Sequence, residues 1–140
     1  MMMSRKKLLL NLLPSIGLLF LVGCASTGDG YPVVVGGDSK SVVAVRAEER
    51  WNALIAGNLS KAYEYFSPAT REVMPFNVFQ GQVKPGMWRG IKVDSVACEA
   101  ELCKAALKLT YDLRSIKGLE MNLEEFWIKE EGSWWYVQKK

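Results

Sequence analysis

The sequence predicts an α+β fold, in which N-terminal helices pack on an antiparallel sheet of about four strands. Two observations support this class. From Val43 to Phe79, apolar residues recur every three or four positions, which is typical of amphipathic helices. After Trp88 they alternate with polar residues, which is typical of half-buried strands. Helices that precede a run of neighbouring strands indicate one sheet with helices covering a single face.

Residues 1–23 are predicted to be a signal peptide. The basic residues Arg5, Lys6 and Lys7 are followed by an apolar stretch from Leu8 to Val22. A membrane-spanning helix needs roughly 20 apolar residues and the core of a signal peptide roughly 7 to 15, so the length favours a cleaved leader. A retained membrane helix and an ordinary signal peptide cut elsewhere are the alternatives.

Leu21-Val22-Gly23-Cys24 ends that stretch and resembles the lipobox of bacterial lipoproteins. The resemblance implies that the sulfur of Cys24 carries diacylglycerol, that the leader is removed, and that the new amino terminus is acylated, with palmitate as the expected acyl group. Two or more acyl chains anchor a protein stably in a membrane. Ala25 stands where enterobacterial inner-membrane lipoproteins have aspartate, so the resemblance implies an outer-membrane protein of the cell envelope that faces the periplasm. Residence in the inner membrane is the alternative.

Residues 24–41 are predicted to be the lipidated cysteine and a flexible tether, because glycine, aspartate and serine interrupt any periodicity. The tether contains one apolar segment, Tyr31–Val35. Apolar segments usually find cover, so this one is expected to dock on the domain's own sheet, with contact to a partner as the alternative.

The charge of the chain excludes one class of partner. The three basic residues of the leader are removed with it, and the remaining 15 lysines and arginines balance 15 acidic residues. No basic cluster is left to neutralise phosphates, so nucleic acid is not an expected partner.

The domain predicted for residues 42–140 begins with helices. The first has one apolar and one charged face and ends at Gly57-Asn58. Its apolar face is predicted to hold Val43, Ala47, Trp51, Leu54 and Ile55, and its solvent face Arg46, Glu48, Glu49, Arg50 and Asn52. Ser60 is predicted to cap the second helix, and Ser67-Pro68 to begin a third. One more short helical turn is expected near Phe79.

The alternation after Trp88 predicts four strands. They are expected at residues 91–97, 103–113, 119–129 and 133–138. The short connection Glu130-Glu131-Gly132 indicates a hairpin between the last two. Each strand therefore returns beside the one before it, as in an antiparallel meander.

Several of these segments together resemble the NTF2-like (cystatin-like cone) superfamily. They are Arg50–Asn58, Lys61–Tyr63, Ser67–Arg71 and Gly132–Tyr136. The resemblance covers about Val42 to Lys140. It implies a curved antiparallel sheet that wraps a long helix into a cone, whose open end is a pocket. Some members of the superfamily are isomerases or dehydratases, and many only bind ligands or dimerise.

Cys98 and Cys103 are predicted to form a disulfide. They flank the tip of the hairpin between the first two strands, where facing positions can meet disulfide geometry. An oxidising periplasm permits the bond, which would contribute about 2 kcal/mol because the loop is small. A metal site and a redox couple are the rivals. Two free thiols without histidine make a poor metal site, and the spacing is not Cys-x-x-Cys, so no metal and no cofactor are expected.

The chain has no histidine, which excludes His-based catalytic triads and imidazole metal sites. Carboxylates and tyrosines remain. Tyr63 or Tyr111 could act with Glu124 or Glu125 in a pocket if burial raised the pKa of one carboxyl group. The favoured interpretation is that the tyrosines pack and the glutamates face water, since charged side chains on strands are mostly exposed. No catalytic residue is therefore assigned.

Aromatic residues on the last two strands are the other candidates for a pocket or an interface. They are Trp127, Trp134 and Tyr136. Alternation places Trp134 and Tyr136 on one face of the sheet and Trp135 on the other. At least one tryptophan must then be exposed, line a pocket or be covered by another chain.

These observations predict a non-enzymatic, lipid-anchored envelope protein whose cone binds a partner protein or a small apolar ligand. A small-molecule isomerase or hydratase that uses a carboxylate and a tyrosine is the first alternative. A structural homodimer is the second. A carboxylate buried at the pocket floor would favour the enzyme, an apolar cavity without one would favour the binding protein, and a flat apolar sheet face would favour the dimer.

Overall fold

The computed structural model of the protein describes residues 38–139. Cys24 and the segment Tyr31–Val35 lie outside these residues. The described chain forms four helices, α1 (Ser39–Ile55), α2 (Leu59–Tyr63), α3 (Pro68–Val73) and α4 (Phe76–Gln82), and then four strands, β1 (Trp88–Glu99), β2 (Leu102–Leu113), β3 (Ile116–Glu130) and β4 (Ser133–Val137). This order confirms the predicted α+β class.

Helix α1 supplies one wall of the core. It begins at Ser39, inside the segment expected to be tether, and it packs mainly on β1. The predicted apolar residues Val43, Ala47, Trp51 and Leu54 are buried, but so is Arg50, which was predicted to face solvent. That prediction is wrong because Arg50 lies three residues after Ala47 and four before Leu54, on the same face of the helix.

The end of α1 follows from Gly57, whose φ of 75° is left-handed. The N–H of Gly57 donates to the carbonyl of Leu54 at 3.1 Å, and the N–H of Asn58 donates to that of Ala53 at 2.8 Å. This pair of bonds is a Schellman motif, which satisfies carbonyls that the helix end leaves free. Asn58 also caps α2, because its side chain accepts from the N–H of Lys61; the prediction that Ser60 is the cap is wrong.

Helices α3 and α4 follow α2 in the chain, and α4 contacts α2. Ser67 caps α3 by accepting from the N–H of Thr70 at 3.1 Å, and Pro68 is the first helical residue, as predicted. Helix α4 is longer than the single turn expected near Phe79. Aromatic rings join these short helices to the core, and those in contact are Tyr63, Phe66, Phe76 and Phe79.

The sheet is an antiparallel meander with the order β1-β2-β3-β4. One face packs against the helices and carries the largest buried side chains of the sheet, which are Cys103, Leu107, Leu109, Trp127 and Trp134. The other face carries ion pairs across neighbouring strands, Lys104 with Glu124 at 3.0 Å and Lys108 with Glu120 at 3.6 Å. The sheet therefore has one core face and one face that is charged at its centre.

The β4 edge of the sheet is covered by the segment between α2 and α3. The N–H of Ser67 donates to the carbonyl of Tyr136 at 3.1 Å, and the N–H of Tyr136 donates to that of Tyr65 at 2.7 Å. The backbone N–H and carbonyl of Tyr136 are therefore occupied at this edge and are not available to another chain. This contact also fixes Phe66 beside Tyr136, at the site described below.

Cys98 and Cys103 face each other at the end of the β1–β2 hairpin, within disulfide-bonding distance. Their Cα atoms are 4.0 Å apart, and Cys103 is fully buried. Of the helices described, none has the length and apolar character needed to span a membrane.

Candidate functional site

A cavity of about 440 Å³ opens between α1, the α4–β1 connection and the helix-facing side of the sheet. Its apolar walls are formed by Trp51, Leu54, Phe79, Val83, Trp88 and Leu123. Gln82, Lys84 and Gln138 also line the cavity, and all three are exposed. The cleft combines apolar walls with polar groups in similar measure, and both are found in sites for small molecules.

Glu125 of β3 lies at the floor of this cavity and is 3% exposed. Its Oε1 atom accepts from Arg50 Nη1 at 2.6 Å and from Trp51 Nε1 at 2.7 Å. Two neighbouring residues of α1 therefore hold one carboxylate oxygen of β3. The geometry is that of a buried, charge-assisted ion pair.

Aromatic rings surround the guanidinium of Arg50. Its Cζ atom lies 3.7 Å from the centre of the Tyr136 ring and 5.6 Å from those of Trp51 and Phe66. A guanidinium so close to a ring face gains a cation–π interaction, which is stronger where water is excluded. The stacking on Tyr136 fixes the orientation from which Arg50 reaches Glu125.

Three buried polar atoms of the described site have no hydrogen-bond partner: Glu125 Oε2, Arg50 Nε and Trp127 Nε1. Glu125 and Trp127 are two residues apart on the same face of β3. The Trp127 indole lies near enough to lower the pKa of Glu125 but outside hydrogen-bond geometry. Glu125 therefore has a nearby indole donor that forms no hydrogen bond with it.

Burial raises the pKa of Glu125, and the Arg50 guanidinium and the two indoles oppose that rise. Burial also raises the pKa of Tyr136; Arg50 opposes that rise, whereas Glu125 adds to it. A neutral Glu125 would leave Arg50 buried without a counter-charge, and breaking such a pair costs about 3–5 kcal/mol. Arg50 and Glu125 therefore form a neutral unit at the cavity floor.

The structure brings some of the predicted residues to the cavity. Glu124, Glu125 and Tyr136 line it, but Glu124 is exposed and pairs with Lys104 on the other face. The expectation that both glutamates face water is therefore wrong for Glu125. Glu125 alternates with Leu123 and Trp127, and that pattern in the sequence places it on the core face.

The other predicted residues have packing contacts outside the cavity lining. Tyr63 donates its hydroxyl to the carbonyl of Met74 at 2.8 Å, and Tyr111 packs on Trp88 with ring centres 6.1 Å apart. Trp127 and Trp134 are buried on the helix-facing side of the sheet. Neither Tyr63 nor Tyr111 lies with Glu125 at the cavity.

Trp135 is half-buried, and its position follows the alternation predicted for β4. The guanidinium of Arg46 lies 5.7 Å from its ring centre and that of Arg71 lies 5.5 Å from it. Arg46 and Arg71 therefore cover part of Trp135, the tryptophan predicted to lie on the face of the sheet opposite Trp134 and Tyr136.

Sequence reasoning missed Arg50, Trp51 and Lys84 as residues of the site. Only for Arg50 did the sequence carry a signal, namely a charged residue at an apolar position of an amphipathic helix. Across residues 38–139, no group of three or more acidic or cysteine side chains is arranged to hold a metal ion.

No protein-family model matches the chain, and no curated protein does. Among solved structures, it is similar to a SEC-C motif containing protein from Rhodopseudomonas palustris. The identity is 14% and the TM-score 0.48, over 64% of this chain and 70% of that one. At this level the similarity carries no information about function.

Proposed function

We propose that this protein is a lipid-anchored protein of the bacterial cell envelope whose cavity binds a small, largely apolar ligand without chemical change. The lipobox-like Leu21-Val22-Gly23-Cys24 supports the anchor and, with Ala25, the outer membrane facing the periplasm. The resemblance of residues 42–140 to the NTF2-like superfamily supports a ligand pocket at the open end of a cone.

The cavity itself carries the proposal for the ligand. Its volume of about 440 Å³ falls in the range of roughly 300–1,000 Å³ found for small-molecule sites. Trp51, Trp88 and Phe79 each place part of a ring on the cavity wall, and burying apolar area against them contributes about 25 cal/mol per Å². A ligand with a large apolar part gains most from such walls.

The pairing of Glu125 with Arg50 separates binding from catalysis. A general base must be free to take up a proton from its substrate. Oε1 of Glu125 already accepts two hydrogen bonds, one of them from a guanidinium, so this oxygen is held in an ion pair and is not free to act on a substrate. This neutralised carboxylate is the observation that favours a binding protein.

An isomerase or hydratase is the second candidate, because Glu125 is buried at the cavity floor and its Oε2 has no partner. Tyr136, which also lines the cavity, would be the tyrosine of such a site. This candidate predicts that the protein catalyses exchange of the α-protons of a bound ketone with deuterated water. Glu125→Gln would abolish that exchange, and proton NMR of cyclohexanone would record it.

A homodimer through the outer face of the sheet is the third candidate, and an envelope protein partner there is a variant of it. Either would have to bury the cross-strand ion pairs of Lys104 with Glu124 and of Lys108 with Glu120. Desolvating charges offsets much of what their pairing contributes. The charged centre of this face therefore favours the cavity as the functional site.

The test of ligand binding uses N-phenyl-1-naphthylamine, an apolar probe that fluoresces when it leaves water. The protein should bind it saturably at one site, with quenching of Trp51 or Trp88. Val83→Trp fills the cavity and should weaken binding at least about tenfold, since a blocked pocket cannot bury the probe. Val73→Trp is the matched control, because Val73 is 81% exposed and does not line the cavity. Equal binding by all three proteins would contradict the proposal.

A further inference from the structure

The charged groups that line the cavity largely cancel one another. Glu125 pairs with Arg50 at 2.6 Å, and Glu124 pairs with Lys104 at 3.0 Å. Lys84 lines the cavity and is exposed, and none of the carboxylates in residues 38–139 lies within 4.0 Å of its ammonium nitrogen. The uncompensated charge around the cavity is therefore positive and belongs to Lys84.

Two further polar residues of the cavity lining are suited to the same kind of ligand group. Gln82 and Gln138 also line the cavity, and both are exposed. Each amide supplies N–H donors, and the lysine ammonium supplies three more. Donors around a positive charge are the groups that bind a carboxylate or another oxyanion.

The volume of the cavity sets a scale for the part of the ligand that it holds. A cavity of about 440 Å³ corresponds to about 15 water molecules at roughly 30 Å³ each. A single alkyl chain of about a dozen carbons fills such a space. The apolar walls formed by Trp51, Leu54 and Trp88 would hold that chain.

We infer that the cavity takes a single-chain anionic amphiphile, whose carboxylate binds Lys84 at the rim and whose alkyl chain lies along the apolar walls. This inference rests on the proposed function, because it names the class of ligand for the same cavity. A cationic amphiphile of the same length would place its charge beside Lys84 and be repelled.

The test compares three twelve-carbon compounds that differ only in the head group: dodecanoate, dodecanol and dodecylammonium. Each competes with N-phenyl-1-naphthylamine for the full-length protein, at concentrations below the micelle concentration of the two ionic compounds and below the solubility limit of dodecanol. Dodecanoate should displace the probe at a concentration about tenfold lower than dodecylammonium, with dodecanol between them. Added salt should reduce this difference, because it screens an exposed charge.

Charge reversal at Lys84 tests the head-group contact. Lys84→Glu should weaken dodecanoate binding about 3- to 30-fold and strengthen that of dodecylammonium, as expected when one exposed charge changes sign. Lys84→Arg should bind dodecanoate like the wild type. Lys129→Glu, which makes the same charge change at an exposed residue outside the cavity lining, should have no effect.

The outcomes separate this inference from the proposal on which it rests. Equal displacement by all three compounds, or a preference for dodecylammonium, would overturn the anionic head group and leave the apolar cavity in place. An effect of Lys129→Glu as large as that of Lys84→Glu would overturn the assignment of Lys84. Failure of the probe itself to bind at the cavity would overturn the proposed function.

Discussion

Arg50→Met should destabilise the fold more than any exposed substitution, because it removes the counter-charge of buried Glu125. Arg50 and Glu125 are 5% and 3% exposed, and Arg50 Nη1 lies 2.6 Å from Glu125 Oε1. Breaking such a pair from one side costs about 3–5 kcal/mol. Methionine keeps most of the packing of the arginine stem, so the loss reports mainly the charge.

Urea unfolding followed by tryptophan fluorescence measures this loss. With a slope of about 1–3 kcal/mol per molar urea, the midpoint should fall by roughly 2 M. Glu125→Gln keeps an acceptor for the Trp51 indole while it removes the negative charge, so the double variant Arg50→Met, Glu125→Gln should regain much of the stability that Arg50→Met loses. The cycle should give a coupling of at least about 1 kcal/mol.

The pH dependence of stability is a second test of the pair formed by Arg50 and Glu125. Burial raises the pKa of Glu125 in the folded state, so the folded protein takes up a proton at a higher pH than the unfolded chain. The contribution of Glu125 to the free energy of unfolding therefore increases as pH falls from the folded pKa towards the unfolded value of 4.5. Below the unfolded value this contribution is constant. Arg50→Met removes the group that opposes this rise, so its stability should recover more on acidification than that of the wild type.

Two results would show that the pair of Arg50 and Glu125 does not stabilise the fold as a buried ion pair. Additive losses in the double-variant cycle would show that Arg50 and Glu125 do not interact in solution. A loss below about 1 kcal/mol for Arg50→Met would show that the pair is hydrated, because exposed ion pairs contribute little.

Three further predictions concern other parts of the chain. Cys98→Ser should lower stability by about 2 kcal/mol in oxidising buffer and have no effect once the wild type is reduced. Melting curves with and without dithiothreitol would show this. If reduction leaves the melting curve of the wild type unchanged, a stabilising disulfide is excluded. The N–H of Gly118 lowers the pKa of Asp112, and Arg89 adds to this effect. Asp112→Asn should therefore lower the melting temperature at neutral pH, and the difference from the wild type should vanish as pH falls through the folded pKa of Asp112. A difference in melting temperature that does not depend on pH would contradict the assignment. Cys24→Ala should accumulate as uncleaved precursor without lipid in a bacterial host, and normal maturation of this variant in mass spectra would contradict the anchor.

The periodicity and the capping residues of the sequence predicted much of the fold, because interactions between residues close in the chain decide where helices and strands form. The change of period near Trp88 separated helices from strands, and Ser67-Pro68 was identified as a helix start because a serine cap and a first-position proline act within one turn. The start of α1 was placed too late, since Ser39, Lys40 and Ser41 form a polar first turn with no apolar signal.

The site depends on long-range contacts that periodicity does not encode. Arg50 and Glu125 are 75 residues apart, and their meeting requires α1 to cross the sheet at one position along β3. The rule that charged residues on strands face water outweighed the alternation of Glu125 with Leu123 and Trp127, which indicated burial. A buried carboxylate paired with a buried guanidinium is the exception to that rule. The pair can be identified only when the fold shows that Arg50 and Glu125 are close together.

The most direct test of the account follows the indole N–H signals of the five tryptophans in ¹⁵N NMR spectra during titration with dodecanoate. Trp51 and Trp88 line the cavity, whereas Trp135 lies outside it between Arg46 and Arg71. We expect saturable shifts at Trp51 and Trp88 and an unchanged signal for Trp135. Shifts confined to Trp135, or no saturable shift at Trp51 and Trp88, would contradict it.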